Sequence, residues 1–240
     1  MTARSPLQSC RGETRPRMKL YVTPTSPYAR LAMIARLDLG LEKTVELVWT
    51  KTRVLDDPVL SVNPSGRIPF LQFEDGTGFE DTDVIVEYLD RLAEPRRYAR
   101  PEPATEPAPG LAPELSDAED DAYWRFRRLE ASARSMLDGV SVWAREIKRL
   151  VEEQSPDIIA HEGRRADRLA HTFDDEIGFA PLALTGDGLN LVQMLLFCAL
   201  DVHRRVPEMD WRDGCSGLSV WYDRMLELPA VGGSVTPDGV

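Results

Sequence analysis

Six prolines, at positions 95, 101, 103, 107, 109 and 113, crowd the middle of this 240-residue chain and divide it into two halves with different periodicities. Each proline fixes its own φ and removes a main-chain donor, so neither a helix nor a strand runs through such a stretch. Residues 94–115 therefore read as a linker. Before it, residues 18–93 mix strands and helices. Met18–Val22 is a short β-rich run, Ser26 is of the type that caps a helix, and Pro27 suits the first helical position, where its missing N–H costs nothing. Leu31, Ile34, Ala35 and Leu39 then recur at helical spacing until Gly40 closes the helix. Val45, Leu47 and Trp49 alternate as a second strand. Ile68–Phe73 and a short run near Phe79 flank the turn sequence Glu74-Asp75-Gly76-Thr77-Gly78 and predict a hairpin. Val84, Ile85, Tyr88, Leu89 and Leu92 give the next helix one apolar face.

The order β-α-β, β-β-α is that of a thioredoxin-like α/β domain. After the linker, residues 116–240 show helical periodicity over roughly 117–152, 157–177, 190–204 and 216–228, with almost no alternation, so an all-α C-terminal domain is expected. Residues 1–17 are polar, carry Arg4, Arg11, Arg15 and Arg17, and read as a disordered arm, with Met18 as an alternative start. A composition of 42% hydrophobic and 29% charged residues is that of an ordinary globular protein with a proper core. The net charge of −11, from 29 basic and 40 acidic residues, argues against binding a phosphate backbone, so no nucleic-acid partner is expected. Cys10, Cys198 and Cys215 are too few and scattered for a disulfide framework. No Cys–His spacing marks a zinc site, and His161, His171 and His203 share no ligand spacing, so no metal is expected. No apolar run approaches a membrane span and the N-terminal segment lacks the apolar centre of a secretory signal, which leaves the cytoplasm as the expected location. Cys198, in the apolar run Leu195–Leu200, is expected to be a buried, inert thiol, and Arg96, Arg97 and Arg100 to be solvated.

Three motifs carry the chemistry: Ser26-Pro27-Tyr28-Ala29-Arg30, Asn63-Pro64-Ser65-Gly66-Arg67-Ile68-Pro69, and Glu80-Asp81-Thr82. A helix starting at Ser26 offers unpaired N–H groups and partial positive charge, a setting that suits an anion such as a thiolate. In a thioredoxin-like layout, redox members place the first cysteine of a Cys-x-x-Cys pair where this helix opens. Ser26 and Ala29 at those positions exclude dithiol chemistry and leave a serine able to donate to a sulfur that comes from elsewhere. From Met18 to about Val235 the chain resembles the cytosolic-type glutathione S-transferases of bacteria, whose N-terminal domain carries Ser-Pro-Tyr/Phe-x-Arg. The resemblance implies a cis peptide at Ile68-Pro69, with the Ile68 backbone pairing the cysteinyl backbone of glutathione. It implies that Asp81 and Thr82 hold the γ-glutamyl amino and carboxylate groups, with Thr82 suited to cap the next helix. Asn190-Leu191-Val192-Gln193 resembles the family's capping box, and Leu228-Pro229-Ala230-Val231 its C-terminal Leu-Pro-x-Val. Arg67 reads equally as a glutathione contact or a surface charge. The chain departs from close relatives with Leu31 where lysine is common, Asp81-Thr82 for Glu-Ser, and Val192-Gln193 for Ala-Asp.

What the resemblance implies for function is a transfer of the glutathione thiolate to a small hydrophobic electrophile, with glutathione as co-substrate and no other cofactor. A thiol of pKa near ~8.5 is only about 3% ionised at pH 7, so lowering it by roughly two units requires about 2.7 kcal/mol. A hydrogen bond to the thiolate contributes roughly 1.5–3 kcal/mol and a helix N-terminus roughly 0.3–2 kcal/mol. Ser26 is thus the expected catalytic residue, acting neither as nucleophile nor as base. Tyr28, Tyr123 and Trp124, with Phe126, read either as apolar walls of an electrophile pocket between the domains or as core. The resemblance further implies a homodimer and a role in detoxification. The alternative from another class is a non-catalytic ligand- or protein-binding module, like the transferase-like stringent starvation proteins.

Overall fold

In the computed structural model, which describes residues 18–101, 122–186 and 188–235, the predicted strands form one sheet of four. They are β1 (Met18–Val22), β2 (Val45–Trp49), β3 (Phe70–Gln72) and β4 (Gly78–Glu80), in the order β2-β1-β3-β4. β1 pairs parallel to β2, with Leu20 opposite Leu47, and antiparallel to β3, with Leu20 opposite Leu71. β3 and β4 form the hairpin, Leu71 facing Phe79. Helix α1 (Pro27–Asp38) makes the parallel crossover, as a β-α-β connection requires. Its end is set by Gly40, whose φ of +66° is the left-handed conformation that closes helices. The sheet, α1 and α3 (Thr82–Leu92) are the thioredoxin-like α/β half of the molecule.

The helical half holds α4 (Ala122–Ile147), α5 (Pro156–Glu176), α6 (Leu191–Leu200), α7 (Ser216–Leu226) and α8 (Pro229–Gly232). All ten residues of α6 are buried, which is why its sequence, Gln193 apart, is apolar all round rather than striped. Its start is fixed by the expected capping box: Asn190 Oδ1 accepts from the Gln193 amide at 3.1 Å, and Gln193 Oε1 accepts from the Asn190 amide at 2.9 Å. A 3-10 turn, Asp201–Arg204, prolongs α6. α1 packs on α3 on one side and on α6 and α8 on the other, so one apolar core runs through both halves. Leu31, where a lysine is common, is fully buried in that core. Cys198 is buried there as well, and burial pushes its thiol up to about 12.

Three expectations change. The short helix α2 (Val59–Val62) has no apolar period that would announce it; it covers the second face of the sheet, where Val59 packs with Tyr21 and Phe70. Helix α3 is capped by Asp81, not Thr82: Asp81 Oδ1 accepts from the Asp83 amide at 3.0 Å, and Thr82 is the first helical residue. The described part of the expected linker is packed rather than loose. Tyr98 is buried and donates to Asp38 at 2.9 Å, while Asp90 Oδ1 accepts from the Arg97 and Tyr98 amides at 2.7 and 3.0 Å. Two of the three arginines expected to be solvated are engaged: Arg97 donates to the Asp38 carbonyl, and Arg100 holds Glu130 through two bonds at 2.9 and 2.7 Å. Burial alone would raise the Glu130 carboxyl, but Arg100, Arg127 and Arg134 hold it below the usual carboxylate range. The N-terminal arm 1–17 and linker residues 102–115 lie outside the described residues.

Candidate functional site

A cleft of about 670 Å³ opens between the two halves, and the three sequence motifs converge on it. One wall comes from the loops after β1 and β2, the turn before β3 and the start of α3: Thr23, Thr25, Ser26, Arg53, Arg67, Ile68, Pro69, Asp81 and Thr82 all face it. The opposite wall is one stripe of α4, Arg134, Asp138, Ser141 and Arg145, continued by Lys148 in the turn just after it and joined by Val202, Arg205 and Val206. Their three- and four-residue spacing keeps the α4 side chains on one helical face over about 17 Å.

Ser26 caps α1, its Oγ accepting from the Ala29 amide at 3.1 Å. With that lone pair used, the hydroxyl proton remains to be donated into the cleft beside the positive end of a three-turn helix. Pro69 follows a cis peptide, as expected, and is buried, with Ile68 half-buried at the lip. The turn that presents this pair is built by Asn63, which is only 4% exposed. Its amide donates to the Arg67 carbonyl at 3.0 Å, its oxygen accepts from the Ser65 amide at 3.3 Å, and Ser65 Oγ accepts from the Arg67 amide at 3.1 Å. Gly66 completes the turn at φ +63°. Its lack of Cβ matters doubly, since an added carbon would stand 3.0 Å from the Leu60 side chain. Asn63 had a readable signal in the Asn-Pro-Ser-Gly turn sequence, but a scaffolding role was not inferred from it.

Asp81 is exposed at the cleft with φ +76°, a conformation rare for a residue with a Cβ and concentrated at functional sites. Beside it Thr82 is buried, and Asp83 is held by Arg134 at 2.6 Å, which joins the start of α3 to α4. Tyr28 also lines the cleft, and its phenol donates to Asp138 across the two halves. Burial first, and that bond to a carboxylate second, push the phenol up to about 12. Tyr28 is therefore neutral at ordinary pH, and its single proton is committed to Asp138.

The other two aromatics do not reach the cleft. Tyr123 and Trp124 stack edge to face near the start of α4, and Trp124 is 54% exposed. Trp124 precedes Asp138 by fourteen residues, about 21 Å along a helix, which is too far to share a wall with Tyr28. Phe126 is core. Arg30, the last residue of the first motif, does not face the cleft. It pairs with Asp201 of the helical half, donates to Ser234 at 3.1 Å, and sits 5.0 Å over the Phe197 ring. Asp201 also accepts from Tyr222 at 2.7 Å. This role of Arg30 has no local signal in the motif, because its partner lies 171 residues away. Among the described residues, no group of three or more His, Cys, Asp and Glu side chains could hold a metal ion, and no helix is long and apolar enough to cross a membrane.

Residues 20–97 match the family profile described as glutathione S-transferase, N-terminal domain. The chain is 26% identical over 183 residues to the uncharacterized GST-like protein YibF of Escherichia coli, covering 76% of this chain and 80% of that protein. It is 23% identical over 227 residues to glutathione S-transferase 2 of Saccharomyces cerevisiae, covering 90% and 88%. Among solved structures, a glutathione transferase family member from Pseudomonas fluorescens with bound glutathione superposes with TM-score 0.70 at 24% identity, over 92% of this chain and 99% of that one. A glutathione S-transferase from Methylobacillus flagellatus with glutathione bound gives 0.69 at 23%, over 92% and 100%. At these identities the superpositions establish the shared fold.

Proposed function

The chain belongs to the glutathione S-transferase family through residues 20–97, and from that premise we propose that it is a glutathione transferase whose thiolate is stabilised by Ser26. The observation that carries the reading is the convergence of Ser26, the cis Ile68-Pro69 pair and Asp81-Thr82, distant in sequence, on a single cleft. Glutathione lies with its cysteinyl backbone along Ile68, whose main chain enters no hydrogen bond among the described residues. Its γ-glutamyl end meets Asp81, Thr82 and the first amides of α3, and Arg67 faces its negative charge. The sulfur then comes to the start of α1, where the Ser26 hydroxyl donates to it. Tyr28 is not a rival for that role, since its proton is held by Asp138. The hydrogen bond and the helix end together supply the roughly 2.7 kcal/mol that a two-unit drop in thiol pKa requires. The thiolate attacks an electrophile held against α4. The same reading carries with it a homodimer and a cytoplasmic, detoxifying role.

The test is retention on immobilised glutathione together with conjugation of a generic aryl halide by wild type, Ser26→Ala and Asp81→Ala. Ser26→Ala is expected to lower kcat/KM about ten- to a hundredfold, the loss of one charged hydrogen bond, and Asp81→Ala to weaken retention. Turnover unchanged in Ser26→Ala would move thiolate stabilisation to another group. A protein that neither binds the resin nor turns over would be a non-catalytic binding module instead.

A further inference from the structure

The cleft is strongly cationic in a protein of net charge −11. Arg53, Arg67, Arg134, Arg145, Lys148 and Arg205 line it, against Asp81 and Asp138. Arg134 is held by Asp83 and Glu130, whereas Arg53, Arg67, Arg145, Lys148 and Arg205 have no ion pair among the described residues. Glutathione, as placed above, accounts for Arg67 on the thioredoxin-like wall. It does not reach the cations at the far end of α4. Arg134 marks the end of the α4 stripe beside α3, Asp138 the level of Tyr28, and Arg145 and Lys148 lie about two to three turns beyond, in the same cleft as Arg205 and the small apolar surfaces of Ala144, Val202 and Val206.

Cations at the C-terminal end of a helix complement its dipole, and that accounts for Arg145 in the last turn of α4 and Lys148 just past it. Arg205 likewise sits at the end of the 3-10 turn that prolongs α6, but its guanidinium is half-buried with no paired carboxylate within salt-bridge distance among the described residues, a burial that the dipole does not call for. Burial pulls its pKa below the ordinary arginine value, the mark of a cation held against a desolvation cost. Arg145 spends only its Nε, on the Ser141 carbonyl at 3.0 Å, and its terminal nitrogens have no hydrogen bond among the described residues. Lys148 has no hydrogen bond among the described residues.

Resting on the transferase reading, we propose that the second substrate is an organic anion, a carboxylate-bearing electrophile, whose carboxylate is held by Arg145, Lys148 and Arg205 and whose small apolar body lies on Ala144, Val202 and Val206. A purely hydrophobic electrophile would leave three cations desolvated and unpaired beneath it, each a cost that a carboxylate removes. The preference is therefore electrostatic and falls as salt is added.

The experiment is calorimetric binding of three probes: glutathione, S-(4-carboxybenzyl)glutathione and its isosteric neutral carboxamide. Wild type is expected to bind the carboxylate about tenfold more tightly than the carboxamide at low salt, with the ratio shrinking as sodium chloride rises. In Lys148→Gln combined with Arg145→Gln, both at exposed positions, the ratio is expected to fall to within about twofold, each variant's own glutathione affinity serving as the internal reference. Arg205→Gln should lower the ratio in the same direction. Equal affinities for carboxylate and carboxamide in wild type, or a ratio that survives the double substitution, would overturn the anionic-substrate inference and leave the glutathione site standing. Failure to bind glutathione itself would overturn both.

Discussion

Tyr28 is a phenol whose proton is held by a carboxylate, and that leaves Ser26 as the hydroxyl proposed to act on sulfur. Tyr28 donates to Asp138 and is pushed up to about 12 by burial and that bond, so it stays protonated while Ser26 keeps a free proton beside the start of α1. The same shift has a consequence for stability. A tyrosine titrating from 10.0 when unfolded to about 12 when folded leaves the native state holding more protons between those limits, so stability is fully present below pH 10.0 and is lost as pH rises toward about 12. In Tyr28→Phe, the fall of unfolding free energy over that window is expected to be shallower than in wild type, read by urea denaturation at stepped pH. Identical slopes would mean that Tyr28 is not the group responsible. Asp81 makes a complementary point at this scale: its left-handed backbone was not legible, because the motif suggested Thr82 as the cap, and only the bond from Asp83 moves the cap back by one residue.

Elements were legible where one periodicity ruled, and illegible where packing from outside imposed the structure. The β-rich run Met18–Val22, the alternation in Val45–Trp49, and the Ser26 start and Gly40 stop signals of α1 all lie within one local stretch of chain, and each predicted its element. Helix α2 has no such signal, since Val59–Val62 is one turn held by the far face of the sheet. Glu94–Pro101 reads as a loose linker on its prolines, yet Tyr98 is drawn into the core by Asp38 and Asp90, partners 60 and 8 residues away. The capping box of α6 shows the opposite case, a short motif whose bonds are nearly all local. Asn190→Ala removes the acceptor for the Gln193 amide and the donor to the Pro181 carbonyl, at the start of a wholly buried helix. A loss of about 1–2 kcal/mol in denaturant unfolding is expected, and a loss below a few tenths would show that the cap is replaceable.

At the scale of the molecule, the cleft exists because two halves of different architecture are fastened on either side of it. Arg30 and Asp201 form the deepest fastening, with side chains 13% and 7% exposed, reinforced by Tyr222, Ser234 and the Phe197 ring. Asp201→Ala leaves a buried guanidinium and a buried phenol without their acceptor, so a loss of about 3–5 kcal/mol is expected in equilibrium unfolding. A change under about 1 kcal/mol would mean that the contact is incidental. The positions of Ser26, Ile68, Pro69, Asp81 and Thr82 on one cleft were legible from motif order and spacing, whereas the basic far wall was not, since Arg145, Lys148 and Arg205 belong to no motif and meet only when the helices pack. The most direct measurement of the account is the pKa of the glutathione thiol when bound, followed by the ultraviolet absorbance of the thiolate in wild type and Ser26→Ala. The account predicts a value about two units below the free thiol's ~8.5 in wild type and a rise of at least about one unit in the variant; a bound thiol that titrates alike in both proteins would contradict it.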